Sequence, residues 1–545
     1  MKLSKMIGGL LSIVLLLTAC NAAPNVPSAD NVVQIVLSDN EITVDGKPVS
    51  ADSAAAVYTA NDIVYYEAGK DFIYGEGTEK DAHTAEEAAA HTVVHITKPG
   101  TYSLSGKLSL GQIAVDLGDG AKKDPAAVVT LILNGVDITC QVAPAVIFYN
   151  VYECGNDDTT AATKDVDTSA AGANVIIADG TANAVNGAYV ARIYEPKSVV
   201  LNGDNTKVAE ADKLHKYDGA FYSKRSMNIS GGKDGSGVLK INAENEGLDS
   251  EMHLTINGGN IEILSGNDGI NTNEDNISVT TINGGTLRIK VNGNTGEGDG
   301  IDSNGWLVIN GGSVVAAACA NSADAGIDSD RGIHINGGTV IATGNMLDRI
   351  ESSGQNYAVF NFAQKQTGKE TVVLKDGNGN TVLEATPENA YSTLIYSSSE
   401  LIEGTYTLWS DDQQLAGSAG NLMGGHGKWP GGTKPGKRQD GTKVPEGDAP
   451  AEGFPWPEGD APAEGFPWPE GDAPADGFPW PEGEKRPGSF TRPESTTLPN
   501  SVTRPEGNNW PENSNKEDQN TSAISPEFKI NNGGNTFTGV QLLNK

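Results

Sequence analysis

The chain is poor in cysteine, poor in bases and nearly without long apolar runs. Only 4 of its 545 residues are Cys, and with Cys20 set aside Cys140, Cys154 and Cys319 are too few for a disulfide framework. A Cys140–Cys154 bridge is open to an exported protein, whereas Cys319 follows Ala316, Ala317 and Ala318 and reads as a small core residue. Lys and Arg number 38 against 71 Asp and Glu, a formal net charge of −33. Without a basic patch to displace counterions, nucleic acid is excluded as a partner. An acidic ligand would need a bridging cation. The early apolar run, Ile7 to Leu17, is too short and too abruptly ended to be a lasting membrane span.

What the chain has instead is repetition. Gly247-Leu248-Asp249-Ser250 leads to Ile256-Asn257-Gly258-Gly259, and the same pattern returns from Gly269-Ile270-Asn271-Thr272 to Ile282-Asn283-Gly284-Gly285. It recurs from Gly300-Ile301-Asp302-Ser303 to Asn310-Gly311-Gly312, and from Gly326-Ile327-Asp328-Ser329 to Asn336-Gly337-Gly338. The Asn-Gly-Gly units fall 26, 27 and 26 residues apart, and Asp218 to Gly232 is an earlier, looser copy. A fixed period of this size, with segments too short to bury a face alone, means repeats that bury one another. Apolar residues alternate around each corner (Leu254 and Ile256, then Ile261 and Ile263), which is the period of a strand. Each repeat is therefore expected to be a coil of three short strands with tight Gly turns, and the whole an all-β parallel β-helix. Stacked at about 4.8 Å, Asn257, Asn283, Asn310 and Asn336 should form a structural ladder of amides.

The flanks differ in kind. Residues 1–20, with Lys2 and Lys5 before the apolar run and Leu17-Thr18-Ala19-Cys20 after it, resemble a bacterial lipoprotein signal. That implies lipid on Cys20 and anchoring at the outer face of the cell membrane. Residues 21–30 read as a tether and 31–90 as an N-terminal cap containing a capped helical turn near Thr84 to Ala90; 91–410 is the β-helix proper. The Ala/Thr/Asp-rich insert from Asn156 to Gly172 is expected to loop out. In 411–525 the composition turns to Pro and Gly, with a twelve-residue Glu-Gly-Asp-Ala-Pro-Ala-Glu-Gly-Phe-Pro-Trp-Pro unit starting at Glu446, Glu458 and Glu470, Asp476 replacing one Glu. Such a segment cannot build a core and is expected to be a disordered arm. Residues 526–545 regain alternation and are expected to dock back as a strand.

The Asp218-Gly219-Ala220-Phe221-Tyr222-Ser223 segment, the recurrent Gly-Ile-Asp-Ser and the Ile-Asn-Gly-Gly corners together resemble the carbohydrate-binding-domain-containing protein family. That family is typified by a clostridial cellulose- and pectate-binding, polysaccharide-lyase-like β-helix protein. The resemblance, over about residues 91 to 410, implies a right-handed helix, calcium, and polysaccharide as partner.

The residues can be read for that chemistry directly. With the apolar residue of Gly-Ile-Asp-Ser inward, Asp249, Asn271, Asp302 and Asp328 should form an outward row, with Asp268, Asp299 and Asp324 beside it. Carboxylates on adjacent coils repel unless a cation intervenes, and calcium–oxygen distances of about 2.3–2.6 Å let one ion sit between two of them. Asp and Asn are also turn formers that bond their own backbone. For sugar, Trp306 is expected on the outer face, with His253 and Tyr222 on other coils. A lyase would need a Lys or Arg base, for which Lys216, Lys224, Arg225 and Arg331 are candidates without a favourite. The expectation is a monomeric, surface-anchored, calcium-containing polysaccharide-binding protein that is not an enzyme. A pectate lyase and a structural or adhesion protein are the alternatives.

Overall fold

The computed structural model describes residues 31–351, 354–420 and 524–543. The signal segment, Cys20, the tether and nearly all of the Pro/Trp arm lie outside the described residues. Strand makes up 49% of the described residues and helix 2%, which fixes the class as all-β. No helix among the described residues is long and apolar enough to cross a membrane.

The repeats resolve into three parallel ladders. In the first, Gly219–Ser223, Glu246–Ser250, Ile270–Thr272 and Ile301–Ser303 pair in turn, so that Phe221, Leu248, Ile270 and Ile301 fall in register. In the second, Met227–Gly231, Leu254–Ile256, Val279–Ile282, Trp306–Ile309 and Gly332–Ile335 align Ile229, Ile256, Ile282, Ile309 and Ile335. In the third, Val238–Ala243, Asn260–Ser265, Thr286–Val291, Ser313–Ala317 and Thr339–Gly344 align Ile241, Ile263, Ile289, Ala316 and Ala342. These in-register side chains are almost fully buried in one continuous core. Each such Ile contributes about 1.5–3 kcal/mol. None could do so without the repeats on either side of it.

Two kinds of residue turn the chain between ladders. The Ser at the end of a first-ladder strand bonds a corner carbonyl: Ser303 Oγ donates to Trp306 O at 3.0 Å, Ser223 Oγ to Arg225 O at 2.6 Å, and Ser329 Oγ back to Gly305 O at 3.0 Å. At each Asn-Gly-Gly corner the second glycine has a positive φ, 95° at Gly259 and 83° at Gly312. The four Asn side chains form a hydrogen-bonded chain on the outside: Asn283 donates to Asn257 at 2.9 Å, Asn310 to Asn283 at 2.9 Å, and Asn336 to Asn310 at 2.8 Å.

Within the segment expected to be the N-terminal cap, Val32–Leu37 pairs in parallel with Gly100–Leu108. Its alternation, with Ile35 and Leu37 buried, is that of a rung. The helical turn is present as Ala85–Ala89, held by a capping box between Thr84 and Glu87. At the other end Thr339–Gly344 meets Tyr391–Ser397 in antiparallel fashion, which ends the parallel rule. The C-terminal Gly534–Leu542 pairs with Tyr357–Gln366 and Gln413–Ala419, and Phe528 and Phe537 pack on Phe360 in a second core. Cys140, Cys154 and Cys319 are all free thiols.

The corners give a stability contrast. A Cβ on Gly312 would combine a positive φ with a 2.8 Å approach to Gly285 O, whereas one on Gly258 meets nothing nearer than 3.5 Å and has no positive φ. In chemical denaturation, Gly312→Ala is expected to cost about 1–3 kcal/mol, and Gly258→Ala to stay within about 0.5 kcal/mol of the parent.

Candidate functional site

The in-register rule brings the acidic residues together, but not as one row. Tyr222, Asp249, Asn271 and Asp302 align along the first ladder. Asn271 divides the carboxylates into two groups: Asp299, Asp302 and Asp328, and Asp218, Glu246 and Asp249. Within each group one oxygen from every side chain lies within 4.8 Å of the others. All six residues are buried, not outward in solvent as expected; Asp249 is 0% exposed. Loops close over the row, and Asn273 Nδ2 donates to Asp249 Oδ1 at 2.5 Å.

In the first group burial pushes the Asp299 carboxyl well up, and the carboxylates of Asp328, Asp302 and Asp268 push it further. Asp299 Oδ1 accepts from the Ala325 N–H at 2.6 Å, and Asp268 Oδ1 accepts from the Asp299 N–H at 2.7 Å. Asp268 thus braces the backbone beneath the trio. Asp324 works elsewhere: its Oδ2 accepts from the Gly298 N–H at 2.7 Å and from the Ser322 hydroxyl. Three hard oxygen donors crowded in a buried place fit a cation such as calcium.

The second group contains its own cation. Lys216 Nζ lies 2.5 Å from Asp218 Oδ2. Burial works against its charge, yet Asp218, Glu246 and Asp249 hold Lys216 protonated above the ordinary lysine value. Asp249 is pushed well up by burial first and then by Glu246 and Asp218. Glu246 and Asp218 were missed in the sequence, although an acidic residue stands directly before the Gly in Asp218-Gly219, Glu246-Gly247, Asp268-Gly269 and Asp299-Gly300.

The three rings expected to meet sugar are buried, which corrects their assignment. Trp306 is 9% exposed, packed with Val279 and Val308 and covered by Ala162 and Val166, while Arg331 stands 4.5 Å from its ring centre. The insert that should have looped out instead folds over this face. Thr168 Oγ1 bonds Asn228 and Thr255, both at 2.7 Å, and Asn228 Nδ2 donates to Thr168 O at 2.7 Å. His253 is internal, its Nδ1 accepting from the Val279 N–H at 3.1 Å, and burial lowers its pKa. Tyr222 donates to Glu251 Oε1 at 2.8 Å from a fully buried position.

Folding back, the insert creates a groove of about 820 Å³ across the second ladder. Its floor carries Thr255, Thr281 and Val308, one rail is the Asn257–Asn336 amide chain, and Lys164 to Ser169 form the opposite wall. Lys164 is paired to Asp165 at 2.5 Å. Of the remaining bases considered for catalysis, Lys224 has its pKa lowered by burial and by Arg225, and Arg225 Nη1 donates to the Lys224 carbonyl at 3.3 Å.

Residues 90–355 match the carbohydrate-binding domain-containing protein family. This is the family that the repeat motifs resemble. A carbohydrate-binding domain-containing protein of Acetivibrio thermocellus is 31% identical over 172 residues, which are 31% of this chain and 44% of the relative. The match thus spans less than half of that protein's length. A solved structure described as a polysaccharide lyase-like protein from C. thermocellum, in a gadolinium derivative, aligns at 19% identity over 59% of this chain and 91% of its own, with a TM-score of 0.32.

The raised carboxyls set a pH dependence. A carboxyl whose folded pKa lies above its unfolded value stabilises the fold fully below the unfolded value and loses that contribution as pH rises through the folded one. With chelator present, the melting temperature is therefore expected to fall between about pH 5 and about pH 8. Asp299→Asn should flatten that fall, as read by calorimetry at the two pH values.

Proposed function

We propose that this protein binds polysaccharide along the groove beneath the insert, on a right-handed parallel β-helix that calcium helps to hold together. The observation that carries the reading is the groove itself. A trough whose Asn amides repeat every rung, at about 4.8 Å, with the hydroxyls of Thr255 and Thr281 beside them, offers hydrogen bonds at regular intervals to an extended chain molecule. The match to a carbohydrate-binding family supports the ligand class. The lining suits a neutral, cellulose-like chain, because Asp165 and Asp167 on the wall would repel uronates; a pectate-like chain would enter through bridging calcium. The β-helix reading is supported by the three parallel ladders and their common register.

Calcium would sit between Asp299, Asp302 and Asp328, where it would cancel a charge concentration that burial otherwise penalises. Anchoring through lipidated Cys20 on the outer face of the cell membrane completes the reading. It would present the groove to extracellular glycan. A second reading, calcium-dependent lyase, is favoured by one feature, the lowered pKa of Lys224 beside Arg225, which suits a general base.

Thr281 lies in the floor of the groove and faces its space. Thr281→Arg is expected to weaken retention of cello-oligosaccharide or oligogalacturonide at least about tenfold, about 1.4 kcal/mol, with an unchanged melting temperature. Equal affinity in variant and parent would move the binding surface elsewhere. Unsaturated product accumulating from polygalacturonate, and lost in Lys224→Met, would decide for the lyase.

A further inference from the structure

Asn257, Asn283, Asn310 and Asn336 are each followed by a glycine, and all four are exposed. An Asn-Gly step can react with itself, because a glycine without Cβ leaves the backbone free to bring its nitrogen onto the side-chain amide carbon. As sequence the four steps are equal. The fold makes them unequal. Asn283 and Asn310 each give an Nδ2 hydrogen bond to the amide before and receive one from the amide after, and Asn336 gives one to Asn310. Asn257 only receives: its Nδ2 donates to no group among the described residues. On the preceding rung, where Ile229 is in register with Ile256, Ser230 stands in place of a further Asn. The backbone differs in the same sense. The Gly337 N–H is engaged with Ile309 O at 3.3 Å, whereas the Gly258 N–H bonds no carbonyl among the described residues. A Cβ on Gly284 would fall 3.1 Å from Asn257 O, one on Gly311 2.6 Å from Asn283 O, and one on Gly337 closer still to Asn310 O; at Gly258 the nearest atom is Gly231 N, at 3.5 Å. A peptide pressed by the carbonyl of the rung beneath resists the rotation that ring closure requires, and the Gly258 peptide is not pressed.

We propose that Asn257 is a site of spontaneous deamidation through a cyclic imide, and that the amide chain protects Asn283, Asn310 and Asn336 from the same reaction. The Gly258 nitrogen bonds to Asn257 Cγ, and the side-chain nitrogen leaves as ammonia, taking the proton that the glycine nitrogen gives up. Water then opens the imide at either carbonyl, leaving aspartate or isoaspartate at position 257. Water is consumed and ammonia released, nothing is oxidised or reduced, and no cofactor enters. The end position tolerates its product, because a carboxylate still accepts from Asn283 Nδ2. At Asn283 the same change would set a carboxylate, with no proton to give, against Asn257 Oδ1. Modification at Asn257 fixes a negative charge on the rail of a groove whose opposite wall already carries Asp165 and Asp167. It would thus disfavour an acidic occupant, yet the reaction itself does not depend on what the groove binds.

The test is to incubate the full folded chain at mildly alkaline pH in water enriched in heavy oxygen, and to follow the four Asn-Gly peptides by mass spectrometry after digestion. A chain kept unfolded in denaturant serves as the reference, and there all four steps should convert at similar rates. In the folded protein the Asn257 peptide is expected to take up the heavy oxygen at least about tenfold faster than the other three, a barrier difference of about 1.4 kcal/mol. Isoaspartate, detected by enzymatic methylation, should appear at the same position. Gly258→Ala, which the corner accommodates, is expected to slow conversion of Asn257 about tenfold or more without changing the other three. Equal conversion of all four in the folded chain would overturn the proposal, as would conversion of Asn283 or Asn310 ahead of Asn257. So would a folded chain in which Asn257 stays intact while the unfolded reference converts. Should Gly258→Ala not fold, the order of conversion in the parent protein decides alone.

Discussion

The constraint on which this structure depends is that in-register parallel stacking sets every side chain beside its own counterpart in the next repeat. The spacing is about 4.8 Å and leaves no room to avoid the neighbour. For Ile256, Ile282, Ile309 and Ile335 this is favourable, because like apolar groups bury one another. For Asn257 to Asn336 it is also favourable, because an amide is both donor and acceptor and can bond its own kind. For aspartate it is unfavourable. The same regularity that builds the core concentrates charge in its wall.

The chain answers that repulsion locally. Asn271 interrupts the carboxylates at the rung where an unbroken column would stand, and it also donates to Glu246. Asp268 and Asp299 spend one oxygen each on a backbone N–H of the rung above. Lys216 arrives from outside the ladders to meet Asp218. What remains after these is two compact groups of three carboxylates along the first ladder.

Legibility in the sequence follows the same division. The period, the strands, the Asn ladder and the joining of the acidic residues could be read because each depends on a residue and its copies 22 to 31 positions away. The insert could not be read this way. Nothing in Asn156 to Gly172 repeats, so its return over Val279, Trp306 and Val308, fastened by Thr168, lay outside any periodic argument. Alternation puts Trp306 on the open face of its strand, and the insert covers that face with Ala162 and Val166. Glu246 and Asp218 were within reach of pattern reading, since both precede a Gly of the repeat.

The amide chain along the groove has a direction. Every observed bond in it runs the same way, from Asn336 toward Asn257, so the four side-chain dipoles add. The rail thus ends in a donor sense at Asn257 and an acceptor sense at Asn336, as the backbone of a helix does at its two termini. A polymer with chemically distinct ends that lies in this trough does not meet the same surface when it is turned around. The groove is therefore polar along its length as well as in its lining, and the polarity is set by nothing more than which way the first amide faces.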